Sequence, residues 1–235
     1  MPEFLDAYSS GEVAVLLGLI TGLVFGVFAQ QSRFCLRAAC IEFWRNKPGP
    51  KFAIWLFTFS TALILTQLLM LNGNLEKSSI RQLVTTGSMS GAIIGGTMFG
   101  IGMVMARGCA SRLLVLSATG NLRALIAGLV VTVVSQAALR GILSPSRNEI
   151  SSWWLIDGSS RDLSLWLPEF GALGFGILLF VAAFYLAKKT SPRIYWQFGA
   201  VMVGLSVALG WALTSWHASN SFDIIAVKSV SFTGP

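Results

Sequence analysis

Charge is scarce in this sequence: Asp, Glu, Lys and Arg make up 11% of its 235 residues, against 54% hydrophobic residues. Soluble domains carry about 25% charged residues, so most soluble enzymes and any disordered protein are excluded. Cysteine is also rare, and three residues do not make a disulfide scaffold. No CxxC occurs, and Cys35 and Cys40 stand five positions apart, off one helical face. Histidine occurs once, as His217, with no Cys or His neighbour to complete a ligand set. Haem, zinc and iron–sulfur centres therefore lack ligands, and neither cofactor nor metal is expected. Phosphate-binding loops, HExxH and GxSxG are missing as well, so the expectation is a protein that is not an enzyme. The opening MPEFLDAYSSGE has no Lys or Arg, and the first is Arg33. Without a basic n-region it does not read as a secretory signal, and the first apolar run is expected to be retained.

Long apolar runs are what the sequence has. Six approach the roughly 20 residues a helix needs to cross a hydrocarbon core about 30 Å thick. They cover Val13–Gln31, Phe52–Leu71, Ser88–Met105, Leu122–Leu139, Gly171–Ala187 and Gln197–Ser215, with no acid or base in any interior. The runs are continuous rather than alternating, which excludes a β-barrel. The expected fold is an all-α membrane protein, one transport domain over 1–235 with about six transmembrane helices.

Lys and Arg placement sets the orientation. With the N-terminus outside, the inner segments hold Arg33, Arg37, Arg45, Lys47, Lys51, Arg107, Arg112, Arg123, Lys188, Lys189 and Arg193. The outer segments hold Lys77, Arg81, Arg140, Arg147, Arg161 and Lys228. The formal charge of +7 is thus a topology signal rather than a nucleic-acid patch. The long outer segment 141–170 contains Trp153, Trp154 and Trp166. It reads as an interfacial anchor, since Trp favours the headgroup layer, with a gating lid as the alternative.

An internal repeat emerges at an offset of 74. Ile20, Gly22, Phe25, Gly26, Arg33 and Cys35 fall on Ile94, Gly96, Phe99, Gly100, Arg107 and Cys109. The copies lie near 12–50 and 86–121, and each reads as a glycine-bearing helix, a polar break, then Arg-x-Cys. The stretches Leu36–Trp44 and Ala110–Ala118 that follow are too short to cross. They are expected to be short re-entrant helices, with irregular backbone sheltered by protein or a water-filled cavity. Interrupted helices point to a transporter's site.

The candidate substrate-binding residues are Cys35, Cys109, Arg33, Arg107 and Ser111, followed by Cys40, Arg37 and Arg112. A thiol is a weak donor and acceptor with a polarizable sulfur, suited to a soft sulfur-bearing ligand. Successive weak contacts allow both binding and release. Blander readings stand beside these. Arg33 and Arg107 sit where the positive-inside rule alone would put them. Cys40 reads as a small buried hydrophobe. Gly22, Gly26, Gly95, Gly96, Gly100 and Gly102 read as close helix–helix contacts, and His217 reads as structural.

The segments QQSRFCLRAAC and MVMARGCASRLLVLSATGN, the glycine-rich helices before them, and the ending DIIAVKSVSFTGP resemble the YeeE/YedE family of sulfur-compound transporters, whose best-understood members are bacterial thiosulfate permeases. The resemblance implies an inner-membrane protein with pseudo-symmetric halves and short helices meeting at a narrow waist. Thiosulfate would be handed across that waist by hydrogen bonds to cysteine thiols. Cys35 matches the family's first motif cysteine and Cys109 its second. A third lies in a later motif, and the sequence ends at Pro235, where that region would open. A small cytoplasmic sulfur-carrier protein is the implied partner, beside the lipid bilayer. The alternatives are a membrane thiol-redox or sulfur-transfer enzyme, a transporter for a selenium compound or other anion, and a structural membrane subunit.

Overall fold

A computed structural model describes residues 10–75, 86–157, 160 and 170–220. The ending DIIAVKSVSFTGP, Trp166 and several outer charges (Lys77, Arg81, Arg161 and Lys228 among them) lie outside the described residues.

Nine helices and two short strands follow one another among the described residues. They are α1 (Ser10–Ser32), α2 (Leu36–Trp44), α3 (Pro50–Leu71), β1 (Gly87–Ser88), α4 (Met89–Met105), α5 (Ala110–Ala118), α6 (Leu122–Arg140), α7 (Ser144–Ser152), β2 (Leu155–Ile156), α8 (Gly171–Thr190) and α9 (Ile194–Asn220). Six spans are long and apolar enough to cross a membrane: Glu12–Trp44, Pro50–Leu71, Met89–Ala118, Leu122–Arg140, Gly171–Thr190 and Ile194–His217. The fold is all-α in the expected sense. The helix bounds follow the apolar runs because an uninterrupted apolar stretch satisfies its own backbone groups only as a helix.

Helix α3 packs against α8 and α9, α9 also packs along α1, and α2 folds back on α3. Helix α5 lies on α6, and α1 touches α5. Apolar side chains gain little by leaving lipid for protein, so membrane helices associate through close contact of small residues. The core obeys this: Ala53, Ala183, Ala200, Ser60 and Ser206 are fully buried. At Gly204 a Cβ would come within 2.6 Å of Thr58 O and 2.7 Å of Thr61 Cβ, so α9 meets α3 nearly backbone to backbone. Beside it Thr58 Oγ1 donates across the interface to Ala200 O at 3.1 Å.

The glycines singled out in the repeat do not have this role. A Cβ at Gly22, Gly26, Gly95, Gly96, Gly100 or Gly102 would meet nothing within 4 Å, which corrects the close-packing expectation. Small residues permit close approach without compelling it, and the glycines that carry it are Gly176, Gly199 and Gly204.

The described part of the 141–170 segment has structure of its own. Ser144–Ser152 is helical, and Leu155–Ile156 pairs antiparallel with Gly87–Ser88. Ser90 Oγ donates to Ile150 O at 2.7 Å and Met89 N–H to Trp154 O at 2.9 Å, so the loop is tied to the start of α4. Trp153 and Trp154 remain exposed.

Candidate functional site

The two Arg-x-Cys segments have matching backbones. After α1 and α4 end, the arginine takes the left-handed region, with φ 52° at Arg33 and 58° at Arg107. Few residues other than glycine do so. At Arg33 the reversal is closed by Arg33 N–H donating to Gln30 O and Phe34 N–H to Ala29 O, both at 3.2 Å. This is the helix-ending motif that usually takes glycine. Two residues on, Cys35 and Cys109 adopt extended backbone and act as N-caps, each opening a helix of nine residues. Beyond each short helix the chain turns again through a left-handed residue, Asn46 at φ 52° and Gly120 at φ 87°. The pairs 33 and 107, 35 and 109, and 46 and 120 are all separated by 74 positions.

These turns bring the starts of α2 and α5 together. The side chains of Cys35 and Cys109 come within interaction range of each other. Cys109 Sγ lies against the backbone N–H of Leu36, the first residue of the opposite helix, and of Arg112 in its own. Cys35 Sγ lies against the N–H groups of Ala38 and Cys109. These are loose contacts to sulfur rather than capping hydrogen bonds. Ser111 Oγ is 3.3 Å from Cys109 Sγ, and either can donate. Cys109 is 3% exposed, while Cys35 is half-buried. The first N–H groups of a helix have no partner within it, and they favour negative charge. Two such ends near two sulfurs set backbone donors on both sides of the pair.

The remaining candidates are distributed around this pair. Arg112 Nη1 donates to Gln30 Oε1 at 3.4 Å, tying α5 to α1. Arg37 is half-buried, and its Nε has no hydrogen-bond partner. The exposed Arg33 lies over the ring of Trp196, 5.3 Å from its centroid, instead of turning to the sulfurs. Arg107 is exposed. Cys40 is exposed and stays outside the thiol pair, which corrects its reading as a buried hydrophobe. Five positions beyond Cys35 it faces another way on α2. His217 is buried at 6% exposure, and its Nε2 has no hydrogen-bond partner.

Four neighbours of the site escaped the sequence reading. Gln30 receives Arg112. Trp196 stacks under Arg33, and Lys51 Nζ lies 4.7 Å from the same ring centroid. Glu42 accepts the Phe52 N–H at 2.8 Å and so caps α3 from the neighbouring α2. Lys51 carried a signal, its place in a basic segment, but that signal reports topology alone. Trp196 carried none, because a Trp at a helix start reads as an interfacial anchor.

Comparison with known proteins adds two findings. A family model described as sulphur transport matches residues 31–235, the greater part of the chain and both Arg-x-Cys segments. The chain is also 29% identical over 226 residues to the thiosulfate transporter TsuA of Spirochaeta thermophila, in an alignment that takes in 88% of this chain and 65% of that protein. The chain thus spans about two thirds of the length of the curated relative it matches.

Proposed function

The chain belongs to the sulphur transport family, and on that premise we propose that it carries thiosulfate or a related soft sulfur anion through the membrane past the paired thiols of Cys35 and Cys109. The observation that carries this reading is the juxtaposition of those two thiols, each at the N-cap of a nine-residue helix. A bare dianion in hydrocarbon would cost tens of kcal/mol, so its route needs donors that offset charge without holding it. Backbone N–H groups at Leu36 and Arg112, the Ser111 hydroxyl and the thiols themselves are such donors. Each is individually weak, and together they permit exchange from one sulfur to the other. In this reading α2 and α5 are re-entrant helices related by the repeat, and they meet at the waist. Arg33, Arg107, Arg37 and Arg112 supply positive potential around them, and Cys40 has no direct part. In this reading the membrane is a bacterial inner membrane, and the excess of Lys and Arg supports an N-terminus outside it. A small cytoplasmic sulfur carrier would receive the anion.

The test is uptake of radiolabelled thiosulfate by cells expressing Cys35→Ala and Cys109→Ala. Each variant is expected to lose at least 90% of uptake while remaining in the membrane. Normal uptake in both would end the relay mechanism. The same juxtaposition favours one second reading, sulfur transfer from thiosulfate to a cysteine with release of sulfite. Intact mass after incubation with thiosulfate separates the two: a persulfide on Cys35 or Cys109 marks the enzyme, and an unchanged mass marks the permease.

A further inference from the structure

We propose that Trp196, with Arg33, Lys51 and Arg193 around its ring, forms a second subsite for the transported oxyanion, near the thiol pair at the Lys/Arg-rich end of the bundle. The identity of the ligand rests on the transport reading above. The three charges come from three places in the chain: the turn after α1, the first turn of α3, and the residue before α9. Their distances to the ring centroid are 5.3 Å for Arg33, 4.7 Å for Lys51 and 5.8 Å for Arg193. Any two of them are therefore within about 11 Å of each other.

An aromatic ring attracts cations to its two faces and repels them at its edge. Three cations on one ring must share a face or approach the edge, so the ring does not fully offset their mutual repulsion. Carboxylates relieve it only in part. Glu42 favours the charge on Lys51 through space, but its carboxylate receives the Phe52 N–H, and among the described residues none of the three cations is ion-paired. Arg193 is instead fixed by a 2.6 Å hydrogen bond from its Nη1 to Tyr195 Oη. The positive-inside rule explains how many cations sit at this end. It does not explain why three unpaired ones converge on one half-buried ring.

A small oxyanion relieves that repulsion. The cluster is also within electrostatic reach of the thiols: the charges of Arg33 and Arg112 and the Cys35 sulfur all bear on Lys51. An anion that leaves or approaches Cys35 on this side passes the ring. A phospholipid phosphate has the same oxyanion chemistry and is the rival source.

The experiment is a titration of tryptophan emission with sodium thiosulfate at constant ionic strength, on the full chain in phosphatidylcholine nanodiscs. A saturable change is expected, lost in Trp196→Phe, kept in Cys109→Ala, and shifted about tenfold to higher concentration in Lys51→Gln. An unchanged midpoint in Lys51→Gln overturns the subsite, and so does a Trp196→Phe titration identical to the parent. If Trp196→Phe does not fold, Arg193→Gln replaces it and must also shift the midpoint upward. A response to added phosphatidylglycerol with none to thiosulfate assigns the cluster to lipid phosphate and overturns the proposal. Parallel uptake assays separate the two readings. A flat titration with intact uptake removes the subsite alone, whereas an intact titration without uptake removes the transport reading and leaves an oxyanion site.

Discussion

Arg33 and Arg107 each carry a backbone cost. Each holds a left-handed backbone that costs a non-glycine residue roughly 1–2 kcal/mol, and the favourable place of its charge at a helix C-terminus returns only about 0.3–1 kcal/mol. Glycine would serve the turn better, as Gly120 does at the end of α5. Arg33→Gly and Arg107→Gly are therefore expected to raise stability by up to about 1 kcal/mol, less for Arg33, which also gives up its place over Trp196, read as a higher melting temperature in detergent. Thiosulfate uptake is expected to fall in both. Higher stability with unchanged uptake would reduce these arginines to topology signals. Cysteine at 35 and 109 carries a similar message. Both residues are N-caps without the capping hydrogen bond that Ser, Thr or Asp would supply, so the position does not use its residue for helix stability.

At the scale of elements, glycines divide by what they face. Gly204 lets α9 reach the backbone of α3, whereas Gly22 and Gly96 face open space. Gly204→Val forces the two helices apart against Thr58 and Thr61 and is expected to cost about 1–3 kcal/mol or more. Gly22→Val faces open space and is expected to change stability by less than about 1 kcal/mol, in line with substitutions outside packed contacts. Comparing the two melting temperatures in detergent checks this. Equal losses would mean that α1 has a close neighbour at Gly22 after all. The glycines were visible in the sequence, but which of them met a neighbour was not. A small residue makes contact possible, and the crossing of two helices distant in the chain decides where contact occurs. The ties between the outer loop and α4 escaped notice for a related reason, since two-residue strands have no periodicity to detect.

For the whole molecule, orientation is the property that gives the site a direction. On the proposed orientation the turn after α2 lies inside and the end of α3 outside. In a background without native cysteines, Lys47→Cys and Asn72→Cys place single thiols at exposed positions on these two sides. A membrane-impermeant maleimide applied to intact spheroplasts is expected to label Asn72→Cys and to spare Lys47→Cys until the membrane is broken. The opposite pattern would invert the molecule and with it the order in which an anion meets the thiols and the Trp196 cluster.

Hydrophobic run length carried most of the architecture. The spans and the two short helices Leu36–Trp44 and Ala110–Ala118 were legible because, in a membrane, a chain segment must satisfy its own backbone groups and so responds chiefly to its local composition. The repeat likewise marked Cys35 and Cys109 as corresponding positions. That the two cysteines come together, that Gln30 receives Arg112, that Cys40 turns away, and that Arg33 and Lys51 converge on Trp196 were decisions of the tertiary structure. Such contacts join segments up to about 160 residues apart, and they depend on helix crossings and left-handed turns that no local pattern of residues encodes.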